Sequence, residues 1–371
     1  MPLSFSSSLK NTLWIGVAAC LALTSCKDDD DSQEPSYQVP ATYNFENVSY
    51  AGQTDRIKML DELTKYMKSA NASGIALDGQ KLKNMYANQN APFADAALNS
   101  SAKKLKDKTF LTDQAMIEGY LEQLATASQS KVPGANGVAG VVTSKDGSRK
   151  YLFDANGKEF AQIIEKGLMG SVFYYQSTGV YLTEEKTGDA VDNTTVKPGE
   201  GTTMEHHWDE AFGYLGVPKD FPANVDANQL FFWGKYINSR DAKLGSNAKI
   251  MNAFLKGRAA ISNKAMKGKN EAISVIREEW EKVVAATAIS YLNQARTNIS
   301  DDALRNHALS EGTAFINALR YNPAKKITDT QIGQAVSFVG DNFYTVKATD
   351  LDKAKDLLAS VYGLNDMKDS F

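Results

Sequence analysis

Ile273-Ser274-Val275-Ile276-Arg277-Glu278-Glu279-Trp280-Glu281-Lys282-Val283-Val284 is the stretch that decides the fold class. Its apolar residues recur in steps of three and four, the spacing that lines one face of an α-helix rather than alternating across a strand. Outward from this stretch the pattern holds from Lys269 to Asn298, adding Ala288 and Tyr291, while Arg277, Glu278, Glu279 and Lys282 fall mostly on the opposite side. One long amphipathic helix is expected, with Glu278 and Glu279 on a solvated face. The same period predicts helices over 53–70, 112–129, 155–170, 247–266, 301–321, 328–343 and 350–362. Ser300-Asp301-Asp302 and Thr328-Asp329 supply N-cap oxygens, and Thr349-Asp350-Leu351-Asp352 approximates a capping box. Pro323 and Gly363 follow helix ends. Strand alternation is confined to 138–143 and 150–153, which predict a hairpin around Asp146-Gly147. The expected fold is all-α, a helical bundle carrying a minor β-hairpin.

The amino terminus reads as an export leader. Lys10 provides a positive start, 13–23 a short apolar core, and Leu23-Thr24-Ser25-Cys26 a lipobox with cleavage before Cys26. That core falls well short of the roughly 20 residues a bilayer span needs. Residues 1–25 are therefore expected to be a lipoprotein signal peptide and Cys26 the lipidation site, the membrane being reached through that anchor. Residues 26–42 are expected to form an acidic tether containing Pro35 and Pro40, followed by a helical domain over 43–371. The run Lys27-Asp28-Asp29-Asp30-Asp31 resembles the surface-export signal of Bacteroidetes lipoproteins. This resemblance implies an outer-membrane protein at the cell surface, with the periplasmic face as the alternative.

Only two cysteines occur, Cys20 in the leader and Cys26, so the folded domain has no thiol for a disulfide, a thiolate metal site or a nucleophile. Lys10 is the only charge before Cys26, so the mature chain keeps all 44 acidic side chains and loses one of 41 basic ones. No basic block appears, and nucleic acid is excluded as an expected partner. Residues 183–203 are rich in Gly, Thr, Asp and Pro and read as a long loop.

The chain holds three histidines, and two lie in Glu205-His206-His207-Trp208-Asp209-Glu210-Ala211-Phe212. The third opens His307-Ala308-Leu309-Ser310-Glu311-Gly312-Thr313-Ala314-Phe315. His206 with Glu210 and His307 with Glu311 are i,i+4 pairs, so on a helix each imidazole sits one turn from a carboxylate. Three readings stay open. Two such helices meeting in a bundle would offer His206, His207, Glu210, His307 and Glu311 as a nitrogen and oxygen site for a divalent metal, iron or zinc. Alternatively, each pair staples its own helix contact, or forms a metal-free acid-base site. The His-Glu-x-x-His spacing of zinc proteases is absent. Glycines in Glu165-Lys166-Gly167-Leu168-Met169-Gly170-Ser171 lack phosphate-loop spacing and fit close helix packing. Phe173, Tyr174 and Tyr175, and Phe231, Phe232, Trp233 and Tyr236, fill a core or line a pocket; Arg240-Asp241 is a ligand clamp or an ion pair.

His207-Trp208-Asp209-Glu210 resembles the Gly-x-His-x-x-Glu motif of imelysin-like families, helical envelope proteins classed by sequence with metallopeptidases and linked to iron acquisition. Glu205 stands where that motif has glycine. Tyr43-Asn44-Phe45-Glu46-Asn47-Val48-Ser49-Tyr50 after Val39-Pro40, and Trp233-Gly234-Lys235-Tyr236 ahead of Arg240-Asp241, more closely resemble the Bacteroidetes lipoproteins grouped as domain of unknown function 4856. This second resemblance runs over nearly the whole mature chain and implies an imelysin-like fold of two related bundle halves, without an established activity. The expected function is an outer-membrane lipoprotein that binds a metal ion or an iron-bearing ligand as an accessory in uptake, with an outer-membrane receptor or uptake component as partner. The alternatives are a metal-free module binding a peptide, glycan or receptor, and an imelysin-like metallohydrolase. The motif spacing disfavours the enzyme.

Overall fold

Helix α1 (Ala51–Ser69) opens the helical body and is followed by the short helices α2 (Gly79–Ala87) and α3 (Ala96–Ser100). These belong to a computed structural model that describes residues 36–371 apart from Asn224. The expected signal peptide, Cys26 and most of the tether lie outside the described residues. Next come α4 (Gln114–Ser128), the strands β1 (Gly140–Thr143) and β2 (Lys150–Phe153), and α5 (Phe160–Leu168), which continues as a π-helix over Met169–Tyr181. The remainder is α6 (Glu184–Thr187), α7 (Thr203–Gly213), α8 (Trp233–Leu244), α9 (Ser246–Ser262), α10 (Met266–Thr297), α11 (Asp302–Ala318), α12 (Asp329–Val339) and α13 (Ala348–Tyr362). The described residues form one compact unit.

The decisive stretch is α10, the hub of the body, flanked by α8, α9, α11 and α13. Ile273, Ile276 and Trp280 are buried on one face, as the period requires, while Glu278 remains exposed. Farther along, Val283, Val284, Ala285, Ala286, Thr287, Ala288, Ile289 and Ser290 are all buried. A helix apolar all round must be covered all round, and the small side chains here let neighbouring helices approach.

The hairpin forms with Gly140 opposite Phe153 and Thr143 opposite Lys150. It docks on the helical body through Leu152 N–H to Asn71 Oδ1 at 2.9 Å and Lys145 N–H to Asp301 Oδ2 at 2.8 Å. Asp301 also caps α11, accepting from Ala303 and Leu304, and Thr328 with Gln331 forms a capping box on α12. Four expectations need correction: first, the helix expected to run to 343 ends at Val339, ahead of Gly340 with its positive φ. The helix expected from 155 starts at Phe160, because Asp154 Oδ1 accepts from the amides of Asn156 and Lys158 and closes a turn instead. The helix expected to run to 266 ends at Ser262, and Met266 starts α10. The capping box at Thr349 does not form, since α13 already begins at Ala348 behind an uncapped Lys347. Gly170 meets the packing expectation: a Cβ there would lie 2.8 Å from that of Ala318.

Candidate functional site

The segment carrying two of the three histidines is the helix α7, started by a capping box. Thr202 Oγ1 accepts from Glu205 N–H at 3.2 Å, and Glu205 Oε2 accepts from Thr202 N–H at 2.9 Å. Glu205 Oε1 also accepts from Arg258 Nη1 at 2.6 Å and Ser262 Oγ at 2.7 Å. One turn on, Asp209 Oδ1 accepts from Arg258 Nε at 3.0 Å and from the Tyr43 hydroxyl at 2.8 Å. Burial pushes the Asp209 carboxyl up to about 6 despite the opposing pull of Arg258. Trp208 completes this inward face, donating Nε1–H to Phe254 O at 3.0 Å.

His206, His207 and Glu210 lie on the other side of α7, half-buried. His206 Nε2 stands 3.9 Å from Glu210 Oε2. Glu210 Oε1 accepts from Gln53 Nε2 at 2.9 Å and from the Tyr181 hydroxyl at 3.0 Å, which ties α7 to α1 and to the π-helix. Gly213 allows that approach, since a Cβ there would sit 2.7 Å from Tyr50 Cβ. His207 Nδ1 lies 2.6 Å from Lys186 O, so it carries the proton and donates; burial lowers the imidazole's pKa and favours this neutral form.

The other pair occupies different surroundings. His307 Nδ1 is 2.6 Å from Glu159 Oε2, its Nε2 is 3.7 Å from Glu311 Oε1, and Tyr151 of the hairpin stacks on the ring at 4.1 Å. Glu311 Oε1 is 3.8 Å from Lys166 Nζ, which pairs with Glu165 at 2.5 Å, and Glu165 in turn pairs with Lys68 at 2.5 Å. The result is a row of alternating charge: Lys68, Glu165, Lys166, Glu311, His307, Glu159. Burial opposes ionisation of Glu165, but Lys166 and Lys68 outweigh it and hold the carboxyl at about 2. The structure therefore joins His206 with Glu210 and His307 with Glu311, each within its own helix. Glu210 reaches Gln53 and Tyr181, Glu311 reaches Lys166, and the two pairs share no partner. Among the described residues, no group of three or more His, Cys, Asp or Glu side chains is placed to hold a metal ion.

The row of charges opens into a cavity of about 470 Å³ between α1, α5, α8 and α10. Lys68, Lys166, Lys235 and Arg240 line it against two carboxylates, Asp61 and Glu165. Phe232, Tyr236 and Tyr291 supply apolar wall, the two tyrosine hydroxyls meeting at 3.0 Å. Arg240 and Asp241 make no ion pair: Asp241 Oδ1 accepts from Asn247 N–H at 2.8 Å, and the buried Arg240 Nε has no partner. Phe173, Tyr174 and Trp233 belong to the core.

A family model described as Domain of unknown function (DUF4856) matches residues 40–335. The chain belongs to this family. No curated protein and no solved structure matches it. The DUF4856 match runs from before α1 into α12, so both histidine pairs and the whole cavity lie inside the family domain. The cavity cations escape a motif search because they come from three separate helices. One local signal does exist: Glu165-Lys166 is a charged pair amid the buried Phe160, Ile164 and Leu168 of α5, where only paired charges are tolerated.

Burial works against the charge on His307, but Glu159 and then Glu311 raise its pKa above the ordinary value. The stabilisation from the protonated ring is complete below the unfolded pKa of about 6.5 and disappears as pH rises through the elevated folded value. Thermal melts of the DUF4856 protein from pH 6 to 9 should lose stability upward through that window. The His307→Gln variant should lack this component; matching pH profiles for the two proteins would refute the assignment.

Proposed function

We propose that this chain is a lipid-anchored outer-membrane protein that captures an anionic organic ligand in the cavity between α1, α5, α8 and α10, as an accessory in uptake. The observation that carries this reading is Arg240, whose buried guanidinium Nε has no protein partner and lines a cavity with four cationic side chains and two carboxylates. Leaving a buried donor unmet is costly, and a carboxylate or phosphate oxygen satisfies it by a charge-assisted hydrogen bond. Aromatic walls with a few convergent polar groups suit a small molecule that has an apolar part beside its anion. A bare divalent cation would be repelled by the same lining, whereas an anionic chelate carrying iron would not. The loop at 183–203 contributes nothing to this cavity. It is pinned instead, through Asn193 Nδ2 to Ile261 O and Gly199 N–H to Asn47 Oδ1. The membrane location is supported by the leader ending just before Cys26.

Phenyl phosphate serves as a probe in calorimetric titration. It should bind one per chain and weaken as salt is raised. Arg240→Gln should reduce its affinity roughly 10- to 100-fold, the worth of one or two hydrogen bonds to a charged group. Affinity indifferent to both Arg240→Gln and ionic strength would end the proposal.

A further inference from the structure

The other wall of α5 bounds a separate chamber. Glu165 and Lys166 face the cationic cavity, while Ile163 and Gly167, one turn apart, line a second space of about 270 Å³ between α4, α5, α11 and α12. Ile117, Phe160, Ile163, Ala314 and Val336 supply its apolar surface, which only slightly exceeds the polar surface. For scale, a dry cavity of about 150 Å³ accommodates benzene, so this chamber holds a body somewhat under twice that size.

Two of the polar groups on the lining, from Arg320 and Thr313, have an unmet buried atom. Arg320 Nη2 donates to Asp113 Oδ2 at 2.7 Å and to the Tyr321 hydroxyl at 2.9 Å, and Tyr321 itself bonds Asp113. That arrangement uses one nitrogen of the guanidinium, and the buried Nε has no partner. Thr313 Oγ1, also on the lining, is buried and unpartnered as well. The charge of Arg320 is already met by Asp113, so a second carboxylate would face that anion without a cation of its own. What Arg320 Nε and Thr313 Oγ1 lack is a hydrogen-bond partner, which an uncharged acceptor supplies. Lys158 and Asp341, 3.4 Å apart on the same lining, form the polar side of the chamber.

We propose that this chamber is a second ligand site, taking a neutral molecule with one aromatic ring that presents a carbonyl or amide oxygen to Arg320 and Thr313. It uses no residue of the cationic cavity and does not depend on the ligand assigned there. The full mature chain is titrated with acetophenone and with benzamide, followed by saturation-transfer NMR and crystal soaking. Both probes should bind once per chain. Val336→Trp, which fills the chamber from its half-exposed wall, should abolish binding, and Thr313→Val should weaken it three- to tenfold. Arg240→Gln should leave it unchanged. Ile163→Trp repeats the blocking test from the α5 side should the first variant fail to fold, as judged by its helical dichroism. No binding up to the solubility limit of the probes, or binding unaffected by a folded blocking variant, would overturn the assignment.

Discussion

Arg258→Met should cost the protein about 3–5 kcal/mol, the usual penalty for stranding buried charges, and lower the Tm by on the order of 10 °C. The guanidinium is about 1 % exposed and bridges Glu205 and Asp209, with Asp209 fully buried. Methionine preserves much of the stem's volume, so the loss comes from the two carboxylates rather than from a void. The pH dependence identifies the cause. Asp209 already stands near 6 with Arg258 beside it, held up by burial. In the variant it takes up a proton more readily, because a neutral acid is far cheaper to bury than its anion. The deficit relative to the parent protein should therefore be larger at pH 7.5 than at pH 5, measured by urea unfolding at both. A deficit independent of pH would assign the loss to packing instead.

Lys166→Met is expected to destabilise by about 3 kcal/mol, because it leaves Glu311 at 6 % exposure without its ammonium partner, the His307 ring standing 3.7 Å away. Glu165 keeps Lys68 and suffers less. If the row of charges acts as a unit, Glu311→Gln should be tolerated far better in the Lys166→Met background than in the parent. The double-mutant cycle should then show a coupling of about 1–3 kcal/mol. Additive single effects would mean that the two side chains are neighbours without being partners. The same variant removes a cation from the cavity floor and should also weaken phenyl phosphate binding.

What could be read in advance was local. The three- and four-residue steps of Ile273, Ile276 and Trp280 gave α10 its burial, and the Asp146-Gly147 turn located the hairpin, because each depends on neighbours a few positions away. The capping signature Thr202-Thr203-Met204-Glu205 was equally available, and it explains why glutamate occupies that position of the histidine segment. What no periodicity displays is partnership over long separations. His307 meets Glu159 from 148 positions away, and Gln53 meets Glu210 across 157. The π-helix over Met169–Tyr181 was also hidden, since its apolar content suits either winding. Cavities are hidden for the same reason: Lys68, Lys235 and Arg240 are unremarkable surface-type residues until two helices turn them toward one space.

The alternating row has a consequence for stoichiometry of charge. Lys68 and Lys166 are each spoken for by Glu165 and Glu311, and Asp61 by Lys65, so they contribute little net field to whatever enters. Lys235 and Arg240 have no carboxylate counterpart among the described residues. For the proposed ligand of the cavity between α1, α5, α8 and α10, electroneutrality is thus reached with a dianion, such as a phosphate monoester or a compact dicarboxylate, and not with a polyanion.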